Sequence, residues 1–422
     1  MPCRLVDSLY TARHARTEQK NKGEQRMPDL LSLLTSLAWP LAIVLAWLAG
    51  EFGQRWTGLP RISFYGVVGF ALGSTQIGAL PAPDLGPVSL LANVAFGLIL
   101  FELGNRINLR WLVNNPWIGV AGLVEAGLTF ILVYIVASAF GTGQLTALLM
   151  AALSMATSPA TVVRVVNEQK SSGQMTERVL HLSALNCVLS VFAFNAIIGI
   201  WLFRTYDAVG EALWQSLVML AGSILVGAIF GVIVPALLRA IGNPQQDATV
   251  AFALAVILLV SVCDISGMSP VVAALAFGLT VRYRRVAFTQ TQRNFGALGE
   301  VLTVLLFVYA ASTLDWRLVT AGTALAISVV LVRMFAKVAG VTAFAHLSGV
   351  TWRKGALTGL GLAPLAVFVI LLLEHARYAG LKVVEELYAM AAVTMLLEVF
   401  GPIIIQRALI WAREAPESTH AA

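Results

Sequence analysis

Thirteen runs of mainly apolar residues, most of them close to twenty residues long, divide this chain: 30–50, 62–80, 86–103, 116–140, 145–167, 179–203, 213–239, 247–263, 268–281, 296–313, 319–346, 354–374 and 384–409. A helix needs about 20 apolar residues to cross the hydrocarbon core of a bilayer. Inside that core every backbone N–H and C=O must be paired within the protein, so long apolar runs become helices. The pattern therefore restricts the chain to an all-α polytopic membrane protein of about 13 transmembrane helices. The ninth run is short, and its fusion with the eighth would make twelve. Composition agrees, with 58% apolar and 12% charged residues against about 25% charged in soluble domains. The net charge of +6 sits in short loops, which points to topology and away from a nucleic-acid partner. Twelve more runs follow the first, so it is not a cleaved signal peptide. Cys3, Cys187 and Cys263 are widely spaced and the five histidines are scattered; neither a disulfide framework nor a metal or cofactor site is expected.

Loop charge sets the orientation. Cytoplasmic loops collect Lys and Arg. With the first helix starting outside, fifteen loop and C-terminal Lys/Arg, from Arg55 and Arg61 to Arg407 and Arg413, fall inside, and four (Arg204, Arg317, Arg377, Lys382) fall outside. The C-terminus, 412–422, is then a cytoplasmic tail and the loop at Asp84 is external. Residues 1–26 dissent, with six basic and three acidic residues on the outer side. They read as a mis-assigned start, with Met27 as the true one, or else as a basic tail. The remainder, 27–411, is a single membrane domain.

Two runs carry a helix breaker at mid-depth. The fifth reads MAALSMATSPATVVRVVNE, with Thr157, Ser158 and Pro159 near its centre; the twelfth reads GALTGLGLAPLAVFVILLL, with Gly359, Gly361 and Pro364. Proline removes a backbone donor and clashes with the preceding turn. Irregular backbone at membrane depth survives only where protein buries it or where it lines a wet cavity. With the seventh run (213–239) as a linker, each break falls in the fifth helix of a six-helix half, 30–203 and 247–409. The halves start on opposite sides of the membrane, which makes them inverted repeats with two broken crossing helices. Matched interruptions in inverted halves point to a transporter's binding site; two unrelated proline kinks are the plainer alternative.

Charges inside the apolar runs carry a cost of at least ~2.5 kcal/mol at the bilayer centre, and are candidates for function. Arg333 and Lys337, in SVVLVRMFAKVAGV, are spaced to share one helix face. Glu125 lies deep in AGLVEAGLTF, and Glu102 ends the third run in LILFELGNRINLR. The equivalent places of the fourth and eleventh runs bring Glu125 and the basic pair toward one interface. Snorkelling to the membrane edge is the alternative for Arg333 or Lys337, and a solvated helix end for Glu102. Glu398, in TMLLEVFGP, is deep and has no assigned role.

Five pieces in order resemble one family. LPRISFYGVVGFALG, LILFELGNRINLRWL, ATSPATVVRVVNE, the helix around Asn186 and SGMSPVVAALAFGLTV, with the topology above, are similar to the monovalent cation:proton antiporters, the sodium/proton and potassium/proton exchangers. The likeness runs from about residue 40 to 410. It implies alternating-access transport of a monovalent cation against protons in a lipid bilayer, in a bacterial inner membrane, with room for a homodimer and with no enzyme activity. It also implies a transport site at Thr157, Ser158, Asn186 and Cys187, with Lys337 as the family's basic residue.

Here the sequence departs from the pattern. The family carries Asn-Asp or Asp-Asp after the first broken helix, and the second carboxylate exchanges cation for proton. This chain has Asn186-Cys187 in ERVLHLSALNCVLSVFAFNA. A buried thiol has a pKa above about 8.5 and is a poor partner for hard cations, which prefer oxygen. Pro364-Leu365-Ala366 also replaces the Pro-Arg-Gly of many relatives. Lys337 must therefore pair with Glu125, Glu102 or a bound anion. Three readings stay open: an antiporter with a shifted carrier, Glu102 or Glu125; a same-fold transporter of an anionic or neutral solute, anchored by Arg333 and Lys337; and a non-transporting sensor or scaffold.

Overall fold

The computed structural model describes residues 30–81, 87–203, 208–241, 248–284, 296–314, 317, 323–365, 369 and 388–415. The readings of the tail at 1–26, of the Asp84 loop, of Arg377 and Lys382, and of the second half of the twelfth run lie outside the described residues.

The described residues are helical: α1 Leu30–Thr57, α2 Arg61–Leu72, α3 Pro87–Arg106, α4 Leu109–Asn114, α5 Pro116–Ala139, α6 Gln144–Met155, α7 Pro159–Glu168, α8 Gln174–Phe203, α9 Ala208–Ile241, α10 Ala248–Ser266, α11 Pro270–Tyr283, α12 Gly296–Ser312, α13 Thr323–Ala343, α14 Trp352–Gly361 and α15 Tyr388–Trp411. Among the described residues, eight spans are long and apolar enough to cross a membrane, with α6 and α7 counted together; α2, α11 and α12 are apolar but shorter. The second run is read too long at its end. α2 stops at Leu72 because Gly73 turns extended and Gly78 takes φ +74°. The eighth and ninth runs are separate helices. Gly267 at φ +64° breaks the chain between α10 and α11, and Pro270 opens α11 at its first turn, where its missing donor costs nothing.

Burial sorts the helices. The window through α6 and α7 is 94% buried and that through α9 only 17%, so the first broken helix is the centre of the protein and α9 its rim. On α9, Leu217, Val218, Leu225, Ile233 and Leu237 face outward. In water such a surface would aggregate; in a bilayer it meets acyl chains. Around the centre, α5 packs on α13, α13 on α14, α6 on α5 and α8, and α15 on α13 and α14. The α5–α13 approach is backbone-close. A Cβ on Gly340 would stand 2.6 Å from Glu125 Cα, so only glycine lets the two helices meet there, one turn from Lys337.

Candidate functional site

α6 ends at Met155 and the chain runs extended through Ala156 and Ser158 before α7 begins. Pro159 at the first position of α7 forces the stop, and Ser158 caps the restart by accepting from the Thr161 N–H. This follows the N-cap chemistry of serine. The second break opens after Gly361 through Leu362, Ala363 and Pro364. The two breaks touch. The Ser158 N–H donates to Pro364 O at 2.9 Å, and the Thr157 hydroxyl donates to Leu362 O at 3.3 Å. The paired interruptions thus lie in direct contact.

Arg333 is fully buried and does not snorkel. Its guanidinium donates to carbonyls of both breaks: Ser154 O at 2.9 Å and Ala156 O at 2.7 Å on one side, Ala363 O at 2.5 Å, Leu362 O and Pro364 O at 3.3 Å on the other. Helix ends leave carbonyls without intrahelical partners. A planar fork with five donors is well suited to satisfy several at once.

One turn further along α13, Lys337 is also fully buried. Its ammonium donates to Glu125 Oε1 at 2.5 Å and to Met155 O at 3.2 Å. Glu125 has no exposure. Its second oxygen accepts from Asn186 Nδ2 at 2.9 Å, and the same amide donates to Thr157 Oγ1 at 3.2 Å. The Cys187 thiol is buried and donates to Thr157 O at 3.2 Å. Because both acceptors engage Nδ2, the Asn186 Oδ1 is turned away from them, and it is buried with no donor to it. The crossing therefore gathers one carboxylate, one ammonium, one guanidinium and the oxygens of Thr157 and Asn186 in a buried interior. Oxygen donors with one compensating charge are what a small hard cation requires. A carboxylate beside an ammonium is a pair whose protons and partners can exchange.

Of the residues singled out from sequence, Thr157, Ser158, Asn186, Cys187, Glu125, Arg333 and Lys337 meet at the crossing. Glu102 does not belong to this group. Its carboxylate accepts from Arg106 at 2.8 Å and from Asn167 Nδ2 at 3.0 Å near the end of α7. It lines a small cavity with Leu98, Ile99, Arg164, Leu302 and Thr303. Sequence reasoning missed Asn167 and Arg164, which reaches Thr303 Oγ1 at 3.0 Å and Gly299 O at 3.1 Å. Arg164 lies within the fifth run, and that depth was the available signal. Thr129 was also missed; it backs Glu125 by donating to its main-chain oxygen at 2.8 Å.

The family model for the transmembrane sodium/hydrogen exchangers matches residues 41–411. Two solved structures of the sodium proton antiporter MjNhaP1 from Methanocaldococcus jannaschii are similar in fold. One, determined at pH 8, gives a TM-score of 0.66 over 90% of this chain and 97% of that one. The other, an electron-microscopy structure, gives 0.68 over 92% and 97%. Both are 16% identical in sequence. No curated protein sequence matches the chain.

Proposed function

This chain belongs to the sodium/hydrogen exchanger family, and from that premise we propose that it exchanges a monovalent cation, sodium first, for protons by alternating access, with Glu125 in the role of the missing Asp. The observation that carries the reading is the buried Glu125–Lys337 pair, joined through Asn186 to the first break. A neutral thiol at Cys187 supplies no charge. Glu125 does, within one hydrogen bond of the same asparagine.

The exchange follows from charge balance. With Lys337 protonated and Glu125 ionised, the pair sums to zero. A cation entering beside Glu125 and Thr157, with the Asn186 amide turned over to present Oδ1, displaces the ammonium. An ammonium left unpaired in a low-dielectric interior gives up its proton. The cation, Glu125 and a neutral Lys337 again sum to zero, and one proton has left for one cation. Reversal on the other side of the membrane completes a one-for-one exchange. The same reading has thirteen crossings, inverted halves, a cytoplasmic C-terminus in a bacterial inner membrane, and a homodimer. The anionic-solute alternative is disfavoured because, of its anchors, Arg333 spends its donors on backbone carbonyls and Lys337 pairs with Glu125.

The test is flux in proteoliposomes with an imposed pH gradient. Addition of sodium or potassium should dissipate the gradient with the native chain and with Cys187→Ser, and should fail with Glu125→Gln. Exchange that persists in Glu125→Gln would place the carrier elsewhere.

A further inference from the structure

A further buried carboxyl, after Glu125 and Glu102, belongs to none of the networks above. Glu398 lies on α15, ten residues past Tyr388, and is 4% exposed. Its Oε1 is buried with no hydrogen-bond partner, and among the described residues no group donates to either oxygen. The surroundings are packed. A Cβ on Gly66 of α2 would stand 3.3 Å from Glu398 Cγ, and Ser63 of α2 donates to Val399 O at 3.0 Å. One turn on, Gly401 lies against the second break, where a Cβ would stand 2.9 Å from Pro364 Cα. Glu398 is thus held where α15 bridges α2 and the crossing.

The elements packed on α15 are α2, α7, α13 and α14. Their charged and titratable side chains are Arg61 and Tyr65, Arg164 and Glu168, Arg333 and Lys337, and Arg353 and Lys354. None of them donates to Glu398, and the cations are engaged elsewhere. Arg61 pairs with Glu51 and Glu300, Arg164 with Thr303, Arg333 with the break carbonyls, Lys337 with Glu125, Arg353 with Trp411 O and Lys354 with Glu414. An ionised carboxylate isolated in such surroundings costs many kcal/mol, and the group takes a proton instead.

We propose that Glu398 is a second proton-binding site, separate from the Glu125–Lys337 pair, that carries its proton in this conformation and releases it when the contact between α15 and Pro364 opens. Release breaks the carboxyl O–H bond; the electron pair stays on the carboxylate, and the proton passes to water admitted by the opening and returns from the same side, so the one-for-one count of the exchange is unchanged. The chemistry needs no partner other than water. The proposal stands on the packing around α15 and does not depend on Glu125 being the cation carrier.

Three measurements on the full chain in proteoliposomes or detergent test it. Infrared spectroscopy at neutral pH should show a protonated-carboxyl C=O band that is lost in Glu398→Gln and kept in Glu125→Gln. A band untouched by Glu398→Gln would overturn the proposal. Because the acid is neutral and accepts no hydrogen bond, Glu398→Gln and Glu398→Met should melt no lower than the native chain; unfolding of both variants would mean that a charge is required there. Finally, the dependence of cation exchange on pH should lose one titrating step in Glu398→Gln and recover it in Glu398→Asp, with the apparent KM for cation unchanged. A pH profile identical to the native one would show that the proton is never released, and would also sink the idea.

Discussion

Breaking the pair between Glu125 and Lys337 from one side should cost more than removing it whole. A buried charge stripped of its partner destabilises by about 3–5 kcal/mol, whereas a pair replaced by neutral groups is often tolerated. Glu125→Gln alone should therefore lower the detergent unfolding midpoint, and Glu125→Gln combined with Lys337→Met should recover most of it. Equal midpoints for the single and double variants would argue against ionisation of the pair. At Cys187 the opposite change is informative. Cys187→Asp adds a carboxylate beside Thr157 and opposite Lys337, and two carboxylates near one site titrate apart. This variant should gain a second proton per cation and become sensitive to membrane potential, read as flux with and without an imposed potassium diffusion potential. Glu125 was legible in the sequence because it stands alone in an apolar run, and Lys337 because it shares a face with Arg333. The targets of Arg333 were not legible, since backbone carbonyls are the same at every residue and leave no trace in a sequence.

Helices end where particular residues end them, and the chain shows both readable and unreadable cases. Pro159 with Ser158 before it marks the first break in the letters alone. The end of α2 was misread because Ile77, Ala79 and Leu80 remain apolar after the backbone has turned; Leu80 is buried from a turn and not from a helix. The start of α8 was likewise hidden, because its cap comes from the far end of the chain. Glu414 accepts from the Met175 and Thr176 N–H groups at 2.9 and 2.8 Å and from Lys354 at 3.1 Å. Burial pushes this carboxyl up, but the backbone donors, Lys354 and the Thr176 hydroxyl outweigh it, and the group sits below its ordinary range. Carboxylates are also favoured at a helix N-terminus by the dipole. A folded-state value below the unfolded value, about 4.3 for Glu, means that the contact stabilises fully above that pH. The contribution is lost as pH falls through the lower, folded value. The melting temperature of the native chain should fall more steeply on acidification below about pH 4 than that of Glu414→Gln, and the two curves should converge at the acid end. Parallel curves would remove Glu414 from the account.

At the scale of the molecule, hydropathy was enough to find the class, because hydrocarbon leaves the backbone no option but the helix. What it could not supply was the depth order: the run through α6 and α7 is interior and α9 is rim, although α9 is the more apolar of the two, with mean hydropathy 2.7 against 1.5. One carboxylate and one ammonium, beside an Arg333 guanidinium that keeps its charge, give the site the same net charge in either loaded state, so native exchange should be indifferent to membrane potential. Flux that doubles or halves under an imposed potential would contradict one-for-one exchange. The Arg333 contacts carry a mechanical meaning as well. A single side chain holds carbonyls from both interruptions, and Ser158 ties to Pro364 between them, so the two breaks are riveted and cannot part like scissor blades. Whatever opens the path to either side must move around this joint and carry it as rigid freight. A short covalent tether from position 156 to position 363 should then leave exchange running.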